Sequence, residues 1–195
     1  MGDKKSVQVG PKKYFLPEMY KKCYSQIYNF EARLDDLLLI GFPRSGTTLH
    51  SEMAWQIENG LDFETSEKVI LTHRFPILDP KNPKLYHLNR SGNVSGIIGE
   101  MRQTIIKVAN FLERALTEDQ IEKLVDYLSI EKFKKNKSVN CEHLNDLGIA
   151  SNEVTFIRSG KSGGWRKYFV GDLEREADEW IKENLKDTDL IFPED

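Results

Sequence analysis

The feature that most constrains the fold is an apolar run at Leu37–Ile40 that passes into a glycine-containing loop and then into a helical pattern. A short apolar run bounded by polar residues suits a strand buried on both faces of a parallel sheet. Gly41 and Gly46 let the backbone approach a ligand closely, and a helix is expected to begin near Thr47. Free N–H groups and the positive dipole end of that helix predict a phosphate-binding strand-loop-helix.

The loop differs at one position from the phosphate loop of nucleotide triphosphatases. Gly41 and Gly46 have the spacing of that loop, but Thr47 stands where a lysine should reach the β- and γ-phosphates. ATP hydrolysis is therefore disfavoured. The cation lies upstream, at Arg44, where it can neutralise a group attached near the innermost phosphate of a shorter ligand. The hydroxyl groups of Thr47 and Thr48 add further donors.

Residues 43–48, with the sequence Pro-Arg-Ser-Gly-Thr-Thr, resemble the P-K-S-G-T-T-W loop of the cytosolic sulfotransferases. In that family the loop holds the 5′-phosphosulfate end of the donor 3′-phosphoadenosine 5′-phosphosulfate (PAPS), which leaves as 3′-phosphoadenosine 5′-phosphate (PAP). The resemblance gives Arg44 the place of the family's catalytic lysine. It also implies a set of donor-binding residues, namely Arg44, Ser45, Gly46, Thr47 and Thr48.

A second donor signature lies near the other end of the chain. The segment from Arg158 to Arg166 is similar to the family's R-K-G-x-x-G-D-W-K, whose first three residues grip the 3′-phosphate. The resemblance therefore assigns that role to Arg158, Ser159 and Gly160. An arginine can form paired, charge-assisted hydrogen bonds to phosphate, and a glycine lets the backbone approach it. Ser159 lacks the charge of the family's lysine, and Lys161 can compensate in part.

The resemblance is interrupted between these two signatures. Arg90 can be matched to an arginine that ends a strand and binds the donor's 3′-phosphate, but Ile98 stands where its serine partner is expected. The alternative for Arg90 is an ordinary strand that leads into a polar loop. Glu100 begins a segment that the family places much further downstream, so a large central block is absent. The family's catalytic histidine, in a T-H-x-P segment, is expected to be lost with it.

Sulfuryl transfer requires a general base for the acceptor hydroxyl and cations for the charge on the bridging oxygen. Arg44 can supply the cation, although it cannot donate a proton at neutral pH. His73, in Thr-His-Arg-Phe-Pro, superficially resembles the catalytic T-H-x-P, and His87 is another candidate base. The spacing places His73 instead in the family's R-x-P-x-L-E segment beside the acceptor pocket. A surface or packing histidine is therefore the alternative to a catalytic one.

Residues 1–13 are interpreted as a polar arm, followed by an extended segment at Tyr14–Pro17 and then a helix. The helix after the phosphate loop is expected to end at Asn59-Gly60. A capping box at Thr117 and Gln120 predicts another helix start, and the basic run at 131–137 is interpreted as a solvated turn. Apolar stripes predict two core helices, which carry Ile105, Val108, Ala109 and Leu112; and Ile121, Leu124, Val125 and Leu128. A final helix is predicted with Leu173, Ala177, Trp180, Ile181 and Leu185.

With 195 residues, the chain is predicted to form a single α/β domain, residues 1–195, with a central parallel sheet flanked by helices. The absent block can leave that sheet incomplete. A net charge of −3 argues against a nucleic-acid binder. Cys23 and Cys141 lie far apart, in no metal-ligand spacing, which indicates a reduced, cytoplasmic compartment and no metal. No apolar run predicts membrane insertion, although Gly2 and Ser6 fit a myristoylation pattern.

The leading hypothesis is a sulfotransferase that uses PAPS to modify a hydroxyl group of a small acceptor, such as a phenol, a steroid or another alcohol, with impaired activity. The alternative is a non-catalytic PAPS- or PAP-binding or interaction protein derived from the same fold. A third interpretation is a shortened product of a longer gene that cannot fill the sheet. The oligomeric state is left open, because Val170, Gly171 and Arg175 replace the family's dimerisation motif.

Overall fold

The structure is a computed structural model, and it describes residues 6–11, 13–18, 20–31, 37–39, 45–75, 101–142, 155–157, 160 and 167–187. These ranges contain two strands and a series of helices. The strands are β1 (Ser6–Val9) and β2 (Tyr14–Pro17). The helices are α1 (Tyr20–Tyr28), α2 (Thr47–Glu58), α3 (Phe63–Lys68), α4 (Leu71–Arg74), α5 (Met101–Phe111), α6 (Glu118–Tyr127), α7 (Ile130–Lys135) and α8 (Asp172–Leu185).

The chain begins with a hairpin in which β1 and β2 pair antiparallel, with Ser6 opposite Pro17 and Val9 opposite Tyr14. Gly10 makes the turn with φ +75°. The extended segment at Tyr14–Pro17 and a helix after it are present as predicted, and that helix ends at Tyr28, before the expected end near Ala32. The arm interpreted over residues 1–13, however, contains a strand. Polar residues alternate with valines in β1, and pairing with β2 satisfies its backbone hydrogen bonds.

Helices α2, α5 and α6 form the centre of the core, where α5 packs against both of the others. Met53, Ile105 and Leu124 are each 0% exposed. The apolar stripes predicted for α5 and α6 face this core, and Val125 is half-buried at its edge. The Thr117 side chain accepts a hydrogen bond from the Gln120 N–H, and the Gln120 side chain accepts one from the Thr117 N–H, which confirms the predicted capping box.

The basic run at 131–137 is largely helical rather than a turn. Helix α7 occupies Ile130–Lys135, with the N–H of Phe133 donating to the Ser129 carbonyl at the helix start. Phe133 is 4% exposed and packs into the core, whereas the lysines around it face solvent. The interpretation as a solvated turn was wrong because one aromatic anchor and a favourable C-terminal position for the lysines stabilise a short helix.

The strand predicted at Leu37–Ile40 is only partly described. Leu37 and Leu39 pack against the core cluster, but Leu38 is 52% exposed. The run is therefore covered on one side by the described residues rather than buried on both faces. The only sheet in the described ranges is the β1–β2 hairpin. Ile40 and residues 84–90, from which further strands were expected, lie outside those ranges.

Helix α8 forms where a final helix was predicted, but its apolar stripe is not buried by the rest of the described chain. Trp180 is 67% exposed, and Leu173 and Ile181 are 49% and 43% exposed. In the described ranges, no helix has both the length and the apolar composition needed to span a membrane.

Candidate functional site

Helix α2 starts where the sequence predicted it, directly after Gly46 at the end of the predicted phosphate loop. Gly46 precedes the first helical residue, Thr47, and has φ +91°, a value that side-chain-bearing residues rarely adopt. A Cβ atom at Gly46 would meet only the His50 ring, at 3.7 Å from Nδ1. The requirement for glycine here therefore comes from the backbone angle and not from crowding.

Among the described residues, no side chain caps the N-terminus of α2. Gly46 occupies the cap position, and the first turn contains no acidic residue. By contrast, the Asp62 side chain caps α3 by accepting the Thr65 N–H at 3.0 Å. Because the first N–H groups of a helix lack partners within it, those of Thr47 and Thr48 are oriented to receive an anion.

His50, which sequence analysis missed, supports this cap from one turn further along the helix. Its Nδ1 atom lies 3.1 Å from the Gly46 carbonyl oxygen. Because a carbonyl can only accept, Nδ1 is the donor in this contact. Nε2 is buried and has no hydrogen-bond partner among the described residues. The signal that could have found His50 is its position four residues after a cap glycine, on the same helix face.

In the second donor signature, Gly160 is the described residue. It has φ +65°, and a Cβ atom there would lie 2.9 Å from Cδ1 of Ile130, the first residue of α7. Nearby, Ile157 packs against the core cluster. The glycine is therefore favoured both by its backbone angle and by its close approach to the Ile130 side chain on α7.

The other predicted site residues divide into two groups. His73 lies on α4 and its side chain is exposed, so the structure places it at the surface. Its catalytic role stays a prediction. Ser45 is exposed immediately before the α2 cap. The remaining predicted residues lie outside the described ranges: Arg44, His87, Arg90, Arg158 and Ser159.

A buried polar group, which sequence analysis also missed, lies at the middle of α2. The Glu52 side chain, 0% exposed, accepts a hydrogen bond from Nη2 of Arg74 at 2.6 Å, and the Arg74 side chain is 3% exposed. The other carboxylate oxygen of Glu52 accepts from Gln56 at 3.0 Å and from the Tyr127 hydroxyl at 3.1 Å. We call Glu52, Gln56, Arg74 and Tyr127 the Glu52 network.

The Glu52 network is connected to several other segments. The Tyr127 hydroxyl lies 2.7 Å from the Ser66 hydroxyl and accepts a hydrogen bond from Asn136 at 2.9 Å. Burial, with the negative charge of Glu52 adding to it, raises the pKa of Tyr127 to about 12. The guanidinium of Arg74 lies over the Trp55 ring, 4.3 Å from its centroid. In the part of the chain that the structure describes, no group of three or more His, Cys, Asp or Glu residues could hold a metal ion.

Comparisons with known proteins converge on one family. The family model described as the sulfotransferase domain matches residues 34–92 and 96–189. Sulfotransferase 1E1 of Bos taurus is 22% identical over 272 aligned residues, which cover 89% of this chain and 92% of that protein. The amine sulfotransferase of Oryctolagus cuniculus is 28% identical over 186 residues, covering 92% of this chain and 60% of that protein.

Solved structures agree with these sequence matches. Retinol dehydratase, in complex with androsterone and the inactive cofactor PAP, has a TM-score of 0.80 and 23% identity, covering 97% of this chain and 92% of that chain. A second structure, of retinol dehydratase with retinol and PAP, has a TM-score of 0.78 and 24% identity. This similarity confirms the expected α/β fold.

The comparisons also bear on the missing block. The bovine alignment runs over 272 residues, more than the 195 of this chain, so this chain lacks positions that the relative has. The family match is interrupted between residues 92 and 96, in the region where the sequence predicts the gap. The chain is therefore shorter than its relatives, as expected.

Proposed function

Since the chain belongs to the sulfotransferase family, we propose that it binds PAPS at the start of α2 and transfers the sulfuryl group to a hydroxyl group of a small, largely apolar acceptor. Family membership and fold agree with the expected enzyme class, a PAPS-dependent sulfotransferase that releases PAP. The observation that carries the proposal is the helix start at Thr47, which is capped by a glycine and not by a side chain.

The 5′-phosphosulfate end of the donor suits this helix start. The N-terminus of a helix has the effect of about half a positive charge, and its free N–H groups point at a bound anion. The N–H and hydroxyl groups of Thr47 and Thr48 would donate hydrogen bonds to the phosphosulfate oxygens. His50 would hold the Gly46 carbonyl in place while they do so. Arg44 would then neutralise charge on the bridging oxygen.

The 3′-phosphate is proposed to bind at the second signature. Arg158 would donate paired hydrogen bonds, and Ser159 and Gly160 would contribute hydroxyl and backbone N–H donors. The packing of Gly160 on Ile130 supports this assignment, because it would hold this end of the loop at a fixed distance from the core. Arg90 is proposed as a further contact to the same phosphate.

The transfer step would proceed in line. The acceptor oxygen forms a bond to sulfur as the bond from sulfur to the bridging phosphate oxygen breaks, and the electron pair of that bond remains on PAP. The acceptor proton must pass to a base. His73 is the proposed base among the described residues, since it lies in the segment that resembles the family's acceptor-pocket segment and its side chain is exposed.

The acceptor class is proposed from the chemistry of related proteins. Retinol dehydratase has been solved with androsterone and with retinol, which are both small apolar molecules bearing a hydroxyl group. A phenol, a steroid or another alcohol is therefore proposed here, with residues 1–195 as one domain in the cytoplasm. One relative is an amine sulfotransferase, so an amine belongs in the acceptor panel.

A non-catalytic PAPS- or PAP-binding role is the second candidate. It is favoured by the interruption of the family match between residues 92 and 96, in the region where the catalytic histidine segment is expected to be lost. In this role the chain would bind PAP and PAPS with similar geometry but would not turn PAPS over.

Titration calorimetry with PAP and a transfer assay with sulfur-labelled PAPS would test both roles. We expect PAP binding that Arg44→Ala and Arg158→Ala each weaken at least about tenfold, or about 1.4 kcal/mol. Arg175→Ala, an exposed arginine on α8, is the matched control and should bind like the unsubstituted chain. Binding with transfer to an alcohol supports the enzyme, and binding without transfer to any acceptor supports the second candidate. If PAP does not bind, both proposals are wrong.

A further inference from the structure

We propose that Glu52, Arg74 and Tyr127 are positioning residues that fix the rotation of α2 about its axis, and so aim its N-terminal N–H groups at the donor. The inference rests on the proposed function, in which α2 is the donor-binding helix. It concerns side chains that would not touch the donor themselves. Glu52 lies five residues after Thr47, which corresponds to about 7–8 Å along the helix axis.

Apolar packing by itself sets the orientation of α2 poorly. All residues from Ser51 to Ile57 are buried, so the helix has no exposed face opposite an apolar stripe. A helix that is buried all round can rotate without moving an apolar residue into water, and its rotation must be set by shape and by directional bonds. The hydrogen bonds of Glu52 supply that direction.

The Glu52 carboxylate is held from two sides by other helices. Arg74 on α4 donates to one oxygen at 2.6 Å, and Tyr127 on α6 donates to the other at 3.1 Å. Because the two donors lie on different helices and bind different oxygens, both bonds together restrict rotation of α2. The Arg74 guanidinium also lies over Trp55, 4.3 Å from the ring centroid, so it contacts α2 at two neighbouring residues.

Arg74 is itself fixed to the surrounding structure. Its Nε donates to the Val69 carbonyl at 2.8 Å, and its Nη2 also lies 3.3 Å from the Ser138 hydroxyl. The N–H of Leu71, at the start of α4, donates to the Ser138 carbonyl at 2.9 Å. The segment that contains Ser138 therefore fixes α4, and α4 in turn fixes α2 through the Arg74 side chain, which these bonds hold in place.

The main effect of the Glu52 network is expected on the orientation of α2 and not on the stability of the fold. Burying an ion pair requires removing water from both charges, and well-packed apolar residues in its place are often equally stable or more so. The network is also incompletely satisfied, since Gln56 Oε1 and Arg74 Nη1 are buried without a partner among the described residues. Apolar replacements should therefore keep the fold while they remove the constraint on rotation.

The test uses the double variant Glu52→Leu/Arg74→Met, which replaces both charges with apolar side chains of similar size. We expect its thermal midpoint to stay close to that of the unsubstituted chain. Its Kd for PAP should rise about tenfold, which is the size of the loss in affinity when residues that support metal ligands are substituted. The control is Glu58→Leu/Arg114→Met, which removes an ion pair of 2.9 Å at the other end of α2. The control variant should bind PAP normally.

A milder variant keeps the test decisive if the double variant does not fold. Tyr127→Phe removes the hydroxyl but retains the ring, which packs 4.6 Å from Phe63 between centroids. We expect about threefold weaker PAP binding with little change in melting. Unchanged affinity in the folded double variant overturns the inference, and so does unchanged affinity in Tyr127→Phe if the double variant is unfolded. An unsubstituted chain that fails to bind PAP overturns the proposed function as well, so the two failures are distinguishable.

Discussion

Substitution of Gly46 by alanine directly tests the proposal that the start of α2 binds the donor. The φ angle of +91° lies in a region where a Cβ atom is strained, and the cost of such a residue is about 1–2 kcal/mol. Crowding adds little, because the nearest atom to the new methyl group would be His50 Nδ1 at 3.7 Å, an ordinary contact distance. For a chain of this size we expect the thermal midpoint to fall by about 2–8 °C.

The same substitution should weaken donor binding. A strained residue at position 46 relaxes by rotating the peptide that joins it to Thr47, which turns the first N–H group away from the anion. We expect the Kd for PAP to rise at least about tenfold, corresponding to about 1.4 kcal/mol, as measured by calorimetry. The hydrogen bond from His50 to the Gly46 carbonyl resists this rotation, so a second substitution, His50→Ala, should weaken binding further.

Gly60→Ala is the matched control for Gly46→Ala. Gly60 follows the other end of α2, has φ +66°, and has no atom within 4 Å of the position of a Cβ. It should lose a similar amount of stability but bind PAP normally. Normal affinity in Gly46→Ala would refute the assignment of the donor site to this helix start. Equal losses of affinity in both variants would show that reduced stability, not local geometry, is responsible.

Three further predictions concern stability. Gly160→Ala should destabilise the fold by about 2–4 kcal/mol, since strain and overpacking add; a double-mutant cycle with Ile130→Ala should show favourable coupling, and strict additivity would contradict the clash at 2.9 Å. Thr117→Ala should lower the free energy of unfolding, measured in urea, by about 1 kcal/mol through loss of the capping box. Thr72→Ala, at an exposed threonine, should leave that free energy almost unchanged, and equal losses in the two variants would count against the cap. In ultraviolet titration, Tyr127 should ionise near its pKa of about 12, and Tyr127→Phe should remove that step. An unfolded tyrosine has a pKa of about 10, so the stability that the raised pKa of Tyr127 contributes is present below pH ~10 and is lost as the pH rises towards 12. Ionisation of every tyrosine near pH ~10 would contradict this prediction.

The parts of the fold that the sequence predicted are those determined by local rules. The α2 start follows from Gly46, the α6 start from the capping box at Thr117, and the buried face of α5 from helical spacing. Each depends on residues within one or two helical turns of each other. The mistaken interpretation of the α7 region shows the limit of such rules, because Phe133 stabilises that helix through contacts made across the core.

The Glu52 network could not be predicted because its members are far apart in sequence. Glu52 and Arg74 are separated by 22 positions, and Glu52 and Tyr127 by 75. A glutamate on one helix and an arginine on another each have an ordinary solvent-exposed interpretation. Only the packing of α2, α4 and α6 brings them together. The exposure of Leu38 and Trp180 could not be predicted for the same reason, because it depends on which surfaces the rest of the chain covers.

Donor binding and sulfuryl transfer place different demands on this chain. Binding requires fixed dipoles, and Gly46, His50 and the Glu52 network can fix the start of α2. Transfer requires a base within hydrogen-bond reach of the acceptor hydroxyl. His50 is poorly suited to be that base, because its Nδ1 is committed to the Gly46 carbonyl and its Nε2 is buried. A chain with a well-built donor site can therefore still transfer slowly, and PAP affinity and turnover must be measured separately to assign its function.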